Sequence, residues 1–377
     1  MKLYFIAGER SGDLHGGNLI KYLRAYRPDC QLRGFGGDFM QQAGMELVVH
    51  YRELAFMGFG EVIRHLGKIH RNLNLCKTDI LSFRPDAVVL IDFAGFNLRV
   101  AQFAKKNGIS VLWYIAPKVW AWNTGRVKKM KKWIDRLFVI LPFEREFFKR
   151  YNWTVDYVGN PVLDAIKNFQ FDEQFGARYN LPDVTVAMLP GSRRQEVKRM
   201  SLVFKQVARQ FPDVVFIIPM VNNLKMEYYH ELRAEPNIRV LSAPAYDILK
   251  NARAAIVTSG TATLETALLR IPQVVVYRTS SFSYFIGRAL IKVPFISLVN
   301  LIAGRKVVEE LIQQDADVKK ISEVLRELLH NEALRKEVLK GYEEIYRLLD
   351  TGSASARTAE LIINFFEERG MLNAQNT

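Results

Sequence analysis

An alternation of short apolar runs with stretches of helical period extends from one end of the chain to the other and constrains the fold more than any other feature. Segments of this kind form βαβ units, in which helices cover a parallel sheet. We therefore expect an α/β protein with doubly wound, Rossmann-like parallel sheets. The predicted strands are Lys2–Ala7, Gln31–Phe35, Ala87–Ile91, Ser110–Ile115, Leu137–Leu141 and Val155–Val158, followed by Val184–Leu189, Val214–Pro219, Ile238–Ser242, Ala254–Val257 and Gln273–Tyr277.

The chain has room for two such sheets, because 377 residues are long for one domain and comfortable for two. The first set of strands closes at a loop, Gly159–Pro161, and the polar stretch Asn168–Asn180 has no clear apolar period, so we place the boundary near residue 170. We expect two domains of similar size that face each other across a cleft. The expected divisions are residues 1–168, residues 169–350, and a C-terminal helical segment, 351–377, that packs back on the first domain.

Charge and cysteine content narrow the class of protein. A formal net charge of +14 implies an anionic partner, and charge alone does not choose among nucleic acid, anionic lipid and a phosphorylated substrate. Two cysteines, Cys30 and Cys76, argue against a disulfide framework and fit a reducing cytosol. The apolar start Met1–Gly8 is interpreted as a buried strand rather than a signal peptide. No apolar run reaches the roughly 18 residues that span a bilayer, so we expect a soluble or peripheral protein.

The segment Leu189–Val197 lies between a predicted strand and a predicted helix, Arg194–Gln210. Gly191 lets the backbone approach a ligand closely, and the N–H groups at a helix start attract anions. Arg193 adds a guanidinium fork that suits phosphate oxygens. The alternative is an ordinary strand-to-helix turn in which Ser192 caps the helix.

A second segment, Thr258–Glu265, has the same order of strand, glycine turn and helix. Its turn consists of Ser259, Gly260 and Thr261, and Glu265 follows at a position where it can accept a hydrogen bond from a ribose hydroxyl. Two such turns in one half of the chain suggest a site for a nucleotide diphosphate.

Two strand ends in the first half carry acids. Glu9 follows the first strand, in a segment where helix capping by Ser11 or Asp13 accounts for one polar residue and leaves Glu9 the least explained by structure. Asp92 follows a buried strand, where it can accept a proton or hold a hydroxyl.

A helix cap is the competing role for Asp92. Asn97 lies closer to the next helix and is the other candidate for that cap. The sequence alone leaves both roles open.

A loop after another predicted strand contains two tryptophans, Trp120 and Trp122, which are costly to expose unless they pack or bind something. Aromatic faces commonly pack against sugar rings, and core packing accounts for at least one of the two. A dense basic helix, from Arg126 to Arg136 around Trp133, follows this loop. Nucleic acid, anionic lipid and plain solvation are all compatible with it.

Two amphipathic stretches combine apolar and basic residues. One begins at the aromatic, glycine-broken Phe56, Met57 and Phe59 and extends to Leu73, and the other is Ser281–Phe295. Each is interpreted either as a core-facing helix or as an interfacial helix at a membrane surface.

In this order, these segments resemble the lipid-A-disaccharide synthases, a family of glycosyltransferases of the GT-B class, over essentially the whole chain. Each segment alone is weak, whereas the ordered set is specific. The segments are Gly8–Asp13, Ile91–Asn97, Pro117–Trp122, Leu189–Val197, Ser259–Glu265 and Ser297–Arg305.

The resemblance implies a GT-B fold and an inverting transfer in lipid A biosynthesis, part of the lipopolysaccharide pathway of Gram-negative bacteria. A 2,3-diacylglucosamine carried on UDP joins 2,3-diacylglucosamine 1-phosphate through a β-1,6 linkage, and UDP leaves. The resemblance implies no metal and no other cofactor. The implied partners are this donor, this acceptor and the anionic surface of the inner membrane, on which the cytoplasmic enzyme is peripheral. Nucleic acid is not expected, and a homo-oligomer is left open.

The resemblance also distributes roles. The first domain would bind the acceptor and face the membrane, and the second would bind the UDP-sugar. Asp92 would accept the proton of the attacking 6-hydroxyl, directly or through Glu9 or a water. Residues assigned to the donor are Gly191, Ser192, Arg193, Ser259, Gly260, Thr261, Glu265 and Asn300, and those assigned to the acceptor or its lipid are Trp120, Trp122, Arg126, Phe56, Met57 and Phe59.

The sequence departs from the family pattern in two places. Ala94 and Gly95 stand where Pro and Asp are usual, so Asp92 is the sole acid of its segment. Asn160 stands where His is common, and it cannot act as a base. Separately, Asp315–Asp317 resembles a metal-binding DxD motif but begins a helix, and we interpret it as a cap.

Three other functions fit parts of the sequence. Another GT-B enzyme, such as a UDP-N-acetylglucosamine epimerase or a muramyl-lipid transferase, is compatible with Gly159–Pro161 but not with the Trp120 and Trp122 loop or the Asn300 segment. A nucleic-acid-binding protein would account for the charge and leave the glycine turns and strand-end acids unexplained. Nucleotide binding without catalysis is the third.

Overall fold

The computed structural model describes residues 1–54, 66–122, 124–221, 224–279 and 293–370. The chain divides into two compact units. Unit 1 comprises Met1–Asp164 together with Asp350–Thr377, and unit 2 comprises Ala165–Leu349. The chain therefore leaves unit 1, forms unit 2 and returns to complete unit 1.

Among its described residues, unit 1 has seven strands: β1 (Lys2–Ala7), β2 (Gln31–Gly36), β3 (Glu46–His50), β4 (Ala87–Ile91), β5 (Ser110–Tyr114), β6 (Arg136–Val139) and β7 (Asp156–Tyr157). They pair in parallel in the order β3-β2-β1-β4-β5-β6-β7. Every residue of β4 and β5 is buried, as expected for strands covered on both faces. This burial explains why these strands are continuous apolar runs in the sequence.

Helices connect these strands and cover the sheet. They are α1 (Arg10–Tyr26), α2 (Asp38–Gln42), α3 (Tyr51–Leu54), α4 (Leu66–Phe83), α5 (Ala94–Lys106), α6 (Val119–Trp122), α7 (Arg126–Trp133), α8 (Glu144–Lys149) and α9 (Pro161–Lys167). Successive residues of β1 alternate between two buried clusters, one containing Tyr4 and Ile6 and the other Leu3 and Phe5. The sheet therefore has an apolar core on each face.

Unit 2 has six parallel strands: β8 (Thr185–Leu189), β9 (Val215–Pro219), β10 (Ile238–Leu241), β11 (Ala254–Thr258), β12 (Gln273–Tyr277) and β13 (Glu309–Ile312). Their order is β10-β9-β8-β11-β12-β13. The helices are α10 (Phe175–Arg178), α11 (Arg194–Arg209), α12 (His230–Arg233), α13 (Ala245–Lys250), α14 (Thr261–Leu268), α15 (Leu298–Ala303), α16 (Val318–His330) and α17 (Glu332–Leu349), with a 3₁₀ turn at Met226–Tyr229.

The last helix, α18 (Ala354–Glu367), returns to unit 1. Its Ile362 and Phe366 are buried in the same cluster as Leu19 of α1. Asp164 stabilises its first turn, because the carboxylate accepts hydrogen bonds from the N–H groups of residues 354 and 355, at 3.1 and 2.9 Å, and from the Ser353 hydroxyl at 3.0 Å. The two parallel sheets and this returning helix confirm the predicted fold class.

All eleven predicted strands are present, with ends that differ by two residues at most. Two strands, β3 and β13, were not predicted, because both lie at sheet edges and carry half-exposed or charged residues instead of an apolar run. The first helix begins at Arg10, directly after Glu9, and the C-terminal helices are separated at Asn331 and at Asp350–Ser353. Within the described ranges, no helix combines the length and apolarity needed to cross a bilayer.

Candidate active site

The carboxyl ends of β1 and β4 bring the two acidic segments of unit 1 together. These strands are adjacent and end at the same level, so Gly8–Glu9 and Asp92–Phe93 are neighbours. A Cβ atom on Gly8 would lie 2.3 Å from the Phe93 ring, so only glycine permits this packing. The predicted acids thus lie at one edge of one sheet.

The residues around Glu9 have different roles from those expected. Glu9 is the extended residue that precedes α1, and no side chain caps this helix, so the predicted cap by Ser11 or Asp13 is wrong. Asp13 is instead buried and stabilises the start of α2, a helix remote in sequence. Its carboxylate accepts from the backbone N–H groups of residues 37, 39 and 40, at 2.8, 3.2 and 3.0 Å.

The backbone at the end of β4 is strained. Asp92 and Phe93 have φ angles of +44° and +48°, in the left-handed region that residues with a Cβ rarely adopt. The buried side chain of Asn97 holds this bend, because its nitrogen donates to the carbonyl oxygens of Asp92 at 2.9 Å and Ile91 at 3.3 Å. Neither Asp92 nor Asn97 caps α5, which follows Phe93 without a side-chain cap. The capping alternative for both residues is therefore wrong.

The carboxyl group of Asp92 is chemically distinct from a surface acid. The residue as a whole is exposed, yet its carboxyl group lies among enough protein atoms that desolvation raises its pKa, which the positive charge of Lys118 partly offsets. A carboxylate with a raised pKa is a better proton acceptor near neutral pH. The direction of this pKa shift is compatible with the predicted role of Asp92 as a proton acceptor.

Glu144 stabilises the segment that contains Trp120. Trp120 is 5% exposed, and its indole N–H donates to Oε1 of Glu144 at 3.0 Å. The other oxygen of Glu144 accepts from the N–H groups of Ile140 at 3.1 Å and Leu141 at 2.9 Å. Burial raises the pKa of Glu144 to about 7. Burial of Trp120 favours the core-packing role, and Glu144 was missed because no local pattern separates it from an exposed acid at a helix start.

Asn160 also makes internal hydrogen bonds. It is buried, its nitrogen donates to the Ile140 carbonyl at 3.2 Å, and its oxygen accepts from the Val162 N–H at 3.0 Å. These contacts fix the loop before α9, a role that asparagine fills without acid–base chemistry.

The remaining predicted site residues of unit 1 are those expected to contact the acceptor or its lipid. Arg126 is half-buried at the start of α7. Trp122 ends α6, and its side chain is outside the described part of the structure. Phe56, Met57 and Phe59 lie outside the described residues, as does most of the stretch 281–295.

In unit 2, the turn after β8 requires glycine and binds an anionic oxygen. Gly191 has a φ of +108°, and a Cβ atom there would lie 2.3 Å from Oε2 of Glu196. This oxygen accepts from the N–H groups of Ser192 at 2.9 Å and Arg193 at 3.1 Å. Ser192 does not cap α11, which begins at Arg194; Glu196 closes a capping box by accepting from the Arg193 N–H, so the turn is an ordinary capped helix start with a different capping residue.

The turn after β11 has the predicted order of strand, turn and helix, but its glycine is used differently. Gly260 is extended, and a Cβ atom there would meet only the Thr258 carbonyl oxygen, at 4.0 Å. The Ser259 hydroxyl donates to the Ile296 carbonyl at 3.0 Å, and Thr261 is exposed at the start of α14. The conformation of this turn therefore does not demand glycine.

Glu265 lies one turn into α14 and is half-buried. Its Oε1 accepts from the hydroxyl of Tyr246 at 3.0 Å. The sequence does not indicate that Tyr246 contacts Glu265, because Tyr246 comes from another βα unit.

Asn300 is fully buried and its side-chain amide is saturated. The nitrogen donates to the Val308 carbonyl at 3.0 Å and to Glu310 at 2.8 Å, while the oxygen accepts from the N–H groups of Val307 at 2.7 Å and Val308 at 3.0 Å. Two donors and two acceptor positions are all that an amide offers. This arrangement favours a role in shaping the turn after α15 over direct contact with a ligand.

The DxD-like segment acts as a helix cap, as predicted. Asp317 accepts from the Lys320 N–H at 2.8 Å at the start of α16, and Asp315 pairs with the Lys320 ammonium. In the ranges that the structure describes, no group of three or more His, Cys, Asp and Glu side chains is arranged to hold a metal ion.

Each unit thus carries polar groups beyond the carboxyl ends of a parallel sheet, where α/β proteins bind nucleotides. Three solved structures share this fold at low sequence identity. The S. aureus MnaA–UDP co-structure has a TM-score of 0.70 at 14% identity and covers 98% of this chain and 97% of that one. The UDP-GlcNAc 2-epimerase of Neisseria meningitidis bound to UDP-GlcNAc has a TM-score of 0.66 at 13% identity, with coverages of 98% and 100%. The kitacinnamycin glycotransferase has a TM-score of 0.66 at 13%, with coverages of 96% and 98%. The fold class is that of the GT-B proteins.

Sequence relatives define the family. The chain matches the family model for lipid-A-disaccharide synthetase over residues 3–363. Proteins named lipid-A-disaccharide synthase are 35% identical over 370 residues in Geobacter sulfurreducens (96% of each chain), 36% over 365 residues in Coxiella burnetii strain CbuG_Q212 (95% of this chain and 97% of the relative), and 37% over 374 residues in Syntrophus aciditrophicus (96% and 97%). The chain belongs to the lipid-A-disaccharide synthase family, which confirms the resemblance.

Proposed function

We propose that the protein joins UDP-2,3-diacylglucosamine to 2,3-diacylglucosamine 1-phosphate and forms the β-1,6-linked lipid A disaccharide 1-phosphate and UDP. Family membership along residues 3–363 is the observation that carries this proposal. Relatives with the corresponding name match nearly their full length, so the comparison is between whole proteins rather than a shared domain.

Unit 1 supplies the base in this proposal. The 6-hydroxyl oxygen of the acceptor bonds to the anomeric carbon of the donor, on the face opposite the leaving diphosphate, so the configuration inverts. Asp92 takes the hydroxyl proton, directly or through Glu9 or a water. The raised pKa of Asp92 and the held bend at Asp92–Phe93 support this role.

Unit 2 supplies stabilisation of the leaving group. As the bond from the anomeric carbon to the diphosphate oxygen breaks, negative charge develops on UDP. Arg193 and the N–H groups of the Gly191 turn bind that charge. The same N–H groups donate to a carboxylate oxygen of Glu196, which supports their capacity to bind an anion, and in this proposal the diphosphate replaces that oxygen. The turn Ser259–Thr261 adds further donors, and Glu265 accepts from the ribose.

We further propose that the protein is peripheral on an anionic inner-membrane surface, because both substrates carry acyl chains. The net charge of +14 supports attraction to such a surface, as do the exposed Lys128, Lys129 and Lys132 of α7. Washing membranes with rising salt should release the protein progressively. Failure to co-sediment with anionic vesicles at any ionic strength would contradict this location, and a gel shift at physiological salt would favour nucleic acid instead.

The activity test is incubation of the purified protein with UDP-2,3-diacylglucosamine and the 1-phosphate acceptor. We expect disaccharide 1-phosphate and UDP in equal amounts, and no product when the acceptor is left out. Epimerisation of UDP-N-acetylglucosamine, or UDP binding with no turnover of the acylated pair, would overturn the proposal in favour of the two rival functions.

A further inference from the structure

Tyr246 and Glu265 meet although they come from different βα units of unit 2. Tyr246 lies in α13, after β10, and Glu265 lies in α14, after β11. The phenol oxygen of Tyr246 is 3.0 Å from Oε1 of Glu265 across 19 residues of sequence. The contact therefore depends on the fold of the whole unit and not on local helix geometry.

The ring of Tyr246 is held in place by its surroundings. Phe169 packs against it edge to face, with ring centroids 5.2 Å apart, and Phe171 packs in the same way against Phe169, at 4.9 Å. Next to Tyr246, the buried carboxylate of Asp247 accepts from the Asp172 N–H at 3.0 Å and ties the same segment to α13. A hydroxyl on so constrained a ring has a fixed position.

The direction of the hydrogen bond is also fixed. Burial raises the pKa of the Tyr246 phenol, and the Glu265 charge raises it further, so the phenol stays protonated at working pH. A protonated phenol donates to a carboxylate, and charge-assisted hydrogen bonds of this kind are strong and directional. Glu265 itself is half-buried rather than fully enclosed.

We propose that Tyr246 is a positioning residue of the nucleotide site, which orients the Glu265 carboxylate so that it accepts hydrogen bonds from the ribose hydroxyls of a uridine nucleotide. This inference rests on the proposed donor role of unit 2 and adds the residue that controls ribose selectivity. A carboxylate arranged for hydroxyl donors rejects a nucleotide without them, because its hydrogen-bonding capacity is then unmet.

The test is a set of calorimetric titrations of the full chain with UDP and with 2′,3′-dideoxy-UDP. We expect the wild type to bind UDP at least about tenfold more tightly than the dideoxy analogue, as for a hydrogen bond to a charged group. Tyr246→Phe should weaken UDP binding about three- to tenfold and leave dideoxy-UDP binding unchanged, so the preference narrows. In a protein that already carries Glu265→Gln, adding Tyr246→Phe should cause no further loss of UDP affinity.

Tyr342→Phe is the matched control. Tyr342 is a buried tyrosine of the same unit, and its hydroxyl accepts from the side-chain nitrogen of Gln273, which lies at the amino end of β12. This variant should keep the wild-type preference for UDP.

Three results would overturn the inference, and they are distinguishable. Equal weakening of UDP and dideoxy-UDP by Tyr246→Phe indicates a purely structural tie. If the wild type binds both nucleotides equally, Glu265 does not accept hydrogen bonds from the ribose hydroxyls. A wild type that does not bind UDP at all also removes the donor role proposed for unit 2.

Discussion

The strand ends at Asp92 in unit 1 and at Gly191 in unit 2 solve the same geometrical problem in different ways. At both strand ends the backbone turns with a positive φ angle. Asp92 and Phe93 adopt this angle despite their Cβ atoms, whereas Gly191 adopts it without strain. The first turn carries a carboxyl group whose pKa is raised, whereas the second has N–H groups that donate to a carboxylate and a guanidinium that is 55% exposed. One edge is therefore the proposed proton acceptor, and the other is the proposed site for an anion.

The largest expected effect tests the proton-accepting side. Asp92→Asn keeps the size of the side chain and removes its basicity, so kcat should fall about 10²- to 10⁴-fold in the disaccharide assay. UDP affinity, measured by calorimetry, should not change, because the donor is assigned to unit 2. Asp86→Asn, an exposed acid just before the same strand, should leave kcat unaffected. Near-normal turnover of Asp92→Asn would rule out its role as the base.

The next effect tests the anion-holding side. Arg193→Ala should lower kcat about 10²- to 10³-fold, the usual consequence of losing one donor to a developing negative charge. Arg199→Ala removes an equal charge from α11, the helix that follows this turn, and should have little effect. If both variants lose the same activity, Arg193 contributes only general positive charge, and the contrast between the two strand ends disappears.

A third prediction concerns Glu144, the buried acid of unit 1 that accepts from the indole of Trp120. Glu144 has a folded pKa of about 7 against a reference value of 4.5, so the folded state binds more protons between these values. Stability therefore falls as pH rises from 4.5 to 7, and it should do so by about 3 kcal/mol relative to Glu144→Gln. Urea unfolding across this pH range measures the difference. The exposed Glu146→Gln is the control, and a flat profile for wild type against Glu144→Gln would contradict the raised pKa.

The smallest effect separates the two glycine turns of unit 2. Gly191→Ala should destabilise the protein by about 1–3 kcal/mol, because its positive φ and the close Glu196 carboxylate exclude a Cβ atom. Gly260→Ala should be tolerated, since that residue is extended and has open space. Thermal unfolding of the two variants measures the loss of stability in each. Equal losses would mean that both turns require glycine to the same degree.

The sequence was sufficient for features that depend on local pattern. Buried parallel strands such as β4 and β11 are continuous apolar runs, and their ends locate Asp92 and the turn before Glu265. Edge strands such as β13 have no such run and were missed. Whether a turn needs its glycine, as at Gly191 but not at Gly260, depends on neighbouring atoms that the sequence does not specify.

Long-range partners were not predictable for a related reason. Asp13 stabilises a helix that begins 25 residues later at Asp38, Glu144 receives the indole of Trp120, and Tyr246 reaches Glu265. Each acid or phenol looks like an ordinary polar residue of a helix, because the partner that defines its role comes from another element. Such roles become visible only when the sheets bring the elements together.

The return of α18 to unit 1 has a consequence for how the protein is made. Unit 2 is inserted between Asp164 and Asp350, so a ribosome completes all of its strands before it delivers the helix that covers Leu19 and its neighbours on α1. The later unit in the sequence is thus the first that can mature, while the nascent earlier unit keeps the apolar side chains of α1 uncovered until α18 has been synthesised. During that interval the nascent chain exposes apolar side chains and most needs a chaperone.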